Sequence, residues 1–390
     1  MLRSLYSGIS GLRAHQTMLD VTGNNIANVN TAGFKSSTVQ FQDTLSQVTR
    51  SGSAARAAAG GNNPAQVGLG VQVAGVSTNF AQGSAQATGR SSDMMISGDG
   101  FFITSKGGQQ LYARAGSFDF DSRGRLVSPD GALLQGWSAV NGGINAGAGL
   151  GNVAVSKAMV APAAATTTAT FGGNLPSDAA INAQQIRDMK VYDANGNARN
   201  VTLTFTKSTA GWDVTGADAN GATGTTALTF TNGAMNGAGT MNIGDIAVNM
   251  GAVTGFADMA TVAVTESNGN PAGALDSFSM GTDGTLTGTF SNGENMIIGR
   301  VALAHFTNAG GLEKAGNSSY RATASSGAAA VGTAGSNGLG SLASGYVEMS
   351  NVDLSQEFTN LIVAQRGFQS NARIITTSDE VLQELTQLKR

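Results

Sequence analysis

The chain reads as mainly β with a long α-helix at each end, and three observations predict it. Leu2, Leu5, Ile9, Leu12, Leu19 and Ile26 follow the alternating three-and-four spacing of a heptad. Leu354, Phe358, Leu361, Phe368, Ala372, Ile375 and Leu382 do the same at the far end. Between them Gly, Thr, Asn and Ala dominate, and Asn-Gly and Asp-Gly pairs close short alternating runs in the manner of hairpin turns. A narrow apolar stripe has little to bury against within its own helix, so each terminal helix is expected to pack along another, in this chain or in a second copy, as a coiled-coil-like layer. Gln16, Gly23, Gln365, Asp379 and Thr386 interrupt the two series, which fits helices packed in a crowd better than an isolated dimer.

Residues 1–35 are read as the N-terminal helix, loosened by Asn24, Asn25, Asn28 and Asn30 toward Thr31-Ala32-Gly33. Residues 36–69, rich in Ser, Gln, Ala and Gly, are expected to be a weakly ordered connector. Residues 70–144 alternate in strand fashion and carry turn signals at Asp99-Gly100, Gly107-Gly108, Arg123-Gly124 and Asp130-Gly131, so they are read as the first part of a core β domain. Across 145–285 Thr-rich strands take over, with Val201, Leu203 and Phe205 alternating with Thr202, Thr204 and Thr206, and this is read as an inserted β domain. Residues 286–345 resume the first texture at Met296–Phe306 and end in a Gly/Ala/Ser-rich bridge, giving the second part of a discontinuous core domain. Residues 346–390 supply the C-terminal helix. It is expected to start at Asp353, with Gln356 completing a capping box, and to run about 50 Å at about 1.5 Å per residue.

The chemistry is sparse. Of 390 residues, 55 are Gly and 12% are charged, and the net charge of -3 with a pI near 5.4 argues against a nucleic-acid surface. No Cys is present, so neither disulfides nor thiolate metal sites exist. The start of the chain has no continuous apolar run, because Ser4, Ser7, Ser10 and Arg13 interrupt it, so it does not read as a cleaved secretory signal, and no stretch is long enough to span a membrane. The two histidines, His15 and His305, stand alone in a helix and a strand, and are read as packing or surface residues. Asp119, Asp121, Gly124 and Asp130 fall at positions of a calcium loop, but Arg123 occupies a ligand position and the last ligand is not Glu, so a hairpin turn is favoured. No cofactor, no metal and no enzymatic centre is expected.

The run Asn24-Asn25-Ile26-Ala27-Asn28-Val29-Asn30-Thr31-Ala32-Gly33-Phe34-Lys35 closely resembles the signature of the flagellar rod and hook axial proteins. Gly98-Asp99-Gly100-Phe101-Phe102 and Tyr112-Ala113-Arg114-Ala115-Gly116 resemble the core β domain of that family. Asn351-Val352-Asp353-Leu354 and Gln365-Arg366-Gly367-Phe368 resemble its C-terminal helix. The resemblance covers both ends and the first β domain, and the central insert carries none of it. It implies a subunit without enzymatic activity that leaves the cell unfolded through the flagellar type III export channel, outside which it sits as part of the flagellum. There it polymerises into a tube lined by the terminal helices, with the insert on the outer surface. It also implies partners among the rod, the hook cap, the hook–filament junction proteins and the export apparatus, and neither nucleic acid nor membrane insertion. The large insert favours a hook-type subunit, a bending universal joint that passes motor torque to the filament, over a distal rod subunit. Export-recognition elements of the family are often Phe-x3-Phe, for which this chain offers Phe41 and Leu45. Three other readings need different features: a surface adhesin would need a signal peptide, a carbohydrate-active enzyme would need paired carboxylates in a cleft, and a plain intramolecular helical hairpin leaves the Asn-rich run unexplained.

Overall fold

A computed structural model describes residues 2–54, 56, 60–140, 142–156 and 158–387, and within these the side chains of Leu2 and Leu385 are left out. Leu2, the first residue of the expected helical stripe, therefore has a described backbone only. Helix α1 spans Leu2–Ala27 and helix α2 spans Leu354–Gln387, and strands make up most of the ordered chain between them. The chain divides into two compact units. One comprises Met1–Val155, Ser279–Leu286 and Ile297–Arg390, and the other Ser156–Phe278 and Thr287–Met296. The second unit starts later than the 145 expected from composition and keeps 287–296, because the Thr/Asn texture changes before the packing does.

In the first unit the strands Phe101–Lys106 and Gln109–Ala113 form a hairpin closed by Gly107 and Gly108, both at positive φ, as a type I′ turn requires. Leu133–Ser138 and the end of Asn295–His305 pair alongside. Their inward side chains build an aromatic core. Phe306 stands edge-on to Tyr112 at 4.7 Å and to Phe101 at 5.8 Å, while Phe80 closes on Tyr320 at 5.2 Å. Such edge-to-face pairs add about 0.5–1.5 kcal/mol each beyond burial.

Two expectations for this unit change. Within 36–69, Ser37–Asp43 pairs antiparallel with Val71–Thr78, and Ser46–Arg50 pairs with Ala65–Gly68, so the expected connector holds three strands. The Gly/Ala/Ser bridge likewise holds Ala330–Thr333 and Ser341–Ser344, which add to the strands Asn295–His305 and Met94–Ser97. Backbone pairing needs no large side chains, which is why composition hid both.

The core of the second unit is a sandwich of two sheets. A five-stranded sheet runs in sequence order from Gln184–Tyr192 through Ala198–Lys207, Trp212–Asp218 and Thr223–Thr231 to Ala234–Asn236. A four-stranded sheet orders Thr240–Ile243, Ile246–Thr254, Thr168–Asn174 and Ala263–Ser267, with one parallel pairing between Thr168–Asn174 and Ile246–Thr254. Val201, Leu203 and Phe205 are fully buried with Trp212, Phe171 and Ile246, so the period-two pattern reads the core face correctly. Asn232 and Gly233 form the tight turn between Thr223–Thr231 and Ala234–Asn236, both at positive φ.

Candidate assembly site

The two ends of the chain meet within the first unit. Gly8 lies against Ile374 and Ile375, Gly11 against Asn371, His15 against Gly367, and Asn25 donates to Glu357, so residue numbers rise on α1 as they fall on α2. The helices are antiparallel. The tightest part of their seam is small and polar. A Cβ on Gly11 would sit 2.7 Å from the Asn371 amide, and one on Gly367 would sit 2.5 Å from the His15 ring. Ala14, Thr22, Asn25, Glu357 and Ala364 are buried there, whereas Leu5, Ile9, Leu12, Leu19, Ile26, Leu361, Phe368, Ile375 and Leu382 of the expected stripe are half-buried. Leu354 is exposed, and Phe358 is 52% exposed. The seam is thus offset from the apolar stripe.

Asp353 caps α2: its Oδ1 accepts from the Ser355 amide at 2.8 Å and the Gln356 amide at 3.3 Å. The reciprocal half of the expected capping box does not form, because the Gln356 side chain bonds Asn360 instead. Gln365 and Arg366 lie on exposed positions of α2.

Beyond the helices the ends are tied by a buried charge knot. Lys35 Nζ lies 2.6 Å from Glu348 Oε1, and both side chains are 0% exposed. Lys35 also donates to the Ala81 carbonyl at 2.8 Å, and the Gly83 amide donates to the same Glu348 oxygen at 2.8 Å. Arg114, 3% exposed, lies 3.7 Å from Glu348 Oε2, donates to the Gly98 carbonyl at 2.8 Å and stacks over Phe101 at 5.3 Å. Burial pulls the Lys35 amine below its ordinary value although Glu348 opposes it, and burial lowers Arg114 likewise. Burial pushes the phenol of nearby Tyr320 up to about 12.

The backbone around the knot follows from the signature residues. Gly33 holds φ +68, donates to the Glu348 carbonyl at 2.7 Å, and passes so near the Ala115 backbone that a Cβ would lie 2.6 Å from Ala115 Cα. Asn25 accepts from the Ser37 amide at 3.0 Å and donates to the Ser37 carbonyl at 2.8 Å, folding the chain back after α1. Asn351 accepts from the Ser36 amide at 2.8 Å and donates to the Asn79 and Ala81 carbonyls. Asn28 bonds Asn24 and Thr31 locally, Phe34 stands under Lys314 at 5.4 Å, and Asn30 is exposed. Gly98 and Gly100 take φ +109 and +133, conformations that side chains avoid. Phe41 and Leu45 are 40% and 86% exposed.

Sequence reasoning missed Lys35 and Glu348 as a pair. The available signal was local: in a chain with 12% charged residues, both charges sit inside apolar or glycine-rich runs, Gly33-Phe34-Lys35 and Tyr346-Val347-Glu348-Met349. The acidic run that mimics a calcium loop is a turn, in which Asp121 Oδ1 accepts from the Arg123 and Arg125 amides and Asp130 bonds Lys106 and Ser128. Among the described residues no group of His, Asp or Glu has metal-binding geometry, and no helix is long and apolar enough to cross a membrane.

Three family models match the chain: "Flagella basal body rod protein" over residues 5–35, "Flagellar hook protein FlgE/F/G D1 domain" over 95–165, and "Flagellar basal body rod FlgEFG protein C-terminal" over 343–388. The flagellar hook protein FlgE of Borreliella burgdorferi is 38% identical over 442 aligned residues, with 100% of both chains covered. The chain belongs to the flagellar hook protein family. FlgE of Salmonella typhimurium is 36% identical over 420 residues, covering 99% of this chain, and the basal-body rod protein FlgG of Bacillus subtilis is 35% identical over 391. The solved Helicobacter pylori hook protein FlgE2 is similar at TM-score 0.47 and 13% identity, covering 68% of this chain and 100% of that one. The family models at the two ends take in the helix seam together with Lys35 and Glu348, and the D1-domain model takes in Arg114.

Proposed function

We propose that this chain is the structural subunit of the bacterial flagellar hook, polymerising into a hollow, flexible tube that works as a universal joint between motor and filament. Full-length similarity to several hook proteins carries the reading. The apolar residues that α2 leaves outside the seam support the polymer, since Phe358, Ile362 and Val363 gain burial only against further surface. Head-to-tail contacts that do not close on themselves generate a helical tube. Export through the flagellar type III channel, a position outside the cell, contacts with rod, hook cap and junction proteins, and the absence of enzymatic activity complete the proposal. Exposed Phe41 and Leu45 are its candidate export element.

Similarity to a rod protein over the whole chain favours one second reading, a distal rod subunit. Electron microscopy of the purified assembly separates the two: curved tubes support the hook, straight ones the rod. Deleting residues 1–28 or 353–390 should leave a soluble, folded subunit that forms no tubes, and tubes from either truncation would refute the reading. Deleting 145–285 should spare assembly more than deleting 94–137, and equal loss from both would count against it.

A further inference from the structure

Lys35 and Arg114 are buried cations whose buried counter-ion arrives late: Glu348 lies 313 residues beyond Lys35 in the chain. Asp99, the other acid near Arg114, is exposed and 4.0 Å away. The strand that carries Glu348, Tyr346–Glu348, adds to Ala85–Ala87, and Gly33 reaches the same residue through its carbonyl. Until residue 348 is present, closing the first unit would bury two positive charges with no negative one. A buried charge without its partner is strongly destabilising, whereas a pair of neutral groups of similar size in its place is tolerated.

We propose that Glu348 is a charge gate on folding: the Lys35–Arg114 pair holds the first unit open until the C-terminal segment brings the buried carboxylate that both cations face. A chain that emerges from its N-terminus thus cannot close this unit, or present the paired helices, before its last residues are free. The gate is a property of the fold. Its use rests on the hook reading, in which a subunit must stay unfolded through a narrow channel and close only at the growing end. The second unit carries no part of the knot and is free to fold first.

Amide hydrogen exchange on the full chain tests this. In Glu348→Gln, which keeps size and an acceptor for the Gly83 amide, protection over 102–112 should fall by about two orders of magnitude or more, while Val201–Phe205 in the second unit keeps its protection. Adding Lys35→Met and Arg114→Met to Glu348→Gln should restore the lost protection, although the chain has lost three charges. During refolding of the natural chain, pulse labelling should find 102–112 protected no earlier than 346–348, and in the triple variant earlier. Unchanged protection in Glu348→Gln, a triple variant as open as the single one, or early protection of 102–112 in the natural chain would each overturn the gate. Tube formation is read separately, so a chain that passes these tests and never assembles sinks the hook reading and leaves the gate standing.

Discussion

Replacing Gly33 by Ala tests whether the chain-end junction depends on one backbone position. Gly33 holds φ +68, and its missing Cβ would lie 2.6 Å from Ala115 Cα, against backbone that cannot swing aside. The left-handed conformation costs about 1–2 kcal/mol for a residue with a Cβ, and displacing packed backbone costs about 1–3 kcal/mol more. The sum, about 2–5 kcal/mol, is a large share of the 5–15 kcal/mol typical of a folded domain. The chain has two tryptophans, Trp137 in the first unit and Trp212 in the second, so Trp212→Phe and Trp137→Phe backgrounds give a fluorescence probe for each unit alone. In urea, Gly33→Ala should lower the Trp137 midpoint by about 1 M or more, taking an m-value of about 2 kcal/mol/M, and leave the Trp212 midpoint in place. Gly23→Ala is the control: this helical glycine has open space around it and should gain about 0.5–1 kcal/mol. An unshifted Trp137 transition in Gly33→Ala, or equal shifts at both probes, would refute the reasoning.

Three further outcomes are expected. Tyr320 is held neutral by burial, its value raised to about 12, so its contribution is complete below pH 10 and is lost as pH climbs through 12. About two pH units at 1.36 kcal/mol each make this about 2.7 kcal/mol, and Tyr320→Phe should remove that part of the alkaline loss in Trp137-monitored melts. Leu203→Ala, at a fully buried position of the second unit, should cost about 2–5 kcal/mol, visible at Trp212 and silent at Trp137. Phe358→Ala should leave the subunit's own melt within about 0.5 kcal/mol and raise the protein concentration needed for tubes about tenfold or more, since a buried Phe is worth about 1.5–3 kcal/mol; sedimentation of the assembled fraction reads it.

The parts of the fold that were legible in the sequence are those with strong periodicity. Alternation at Val201, Leu203 and Phe205 names a core face, the heptads name both helices, and Asp353 marks a helix start that the structure places one residue further on. The parts that were hidden use backbone pairing or distant partners. Ser37–Asp43 does alternate, with Val39 and Phe41 against Thr38 and Gln40, but it faces solvent on so much of its surface that its composition imitates a linker. The pairing in the knot could not be read from one chain: the apolar and glycine-rich surroundings of Lys35 and Glu348 mark each residue, but nothing local names its partner. Its members sit in the motifs that carry the family resemblance, which marks the place and not the contact.

The helix seam is where expectation and structure part most usefully. A chain whose terminal helices only had to brace their own subunit would turn Leu354 and Phe358 inward, because burying each apolar side chain is favourable by about 1.5–3 kcal/mol. Instead the closest approach is made by Gly8, Gly11, Gly367 and Asn371, residues that let two backbones come near and contribute little burial. Small residues at a crossing specify geometry. The larger apolar ones then remain half-buried or exposed along the flanks, where one chain alone cannot cover them. The same division runs through the unit, with glycines and a buried charge knot fixing how the ends meet, and apolar surface held back from the subunit's own core. Such a subunit folds into a definite shape and still has contacts left to make.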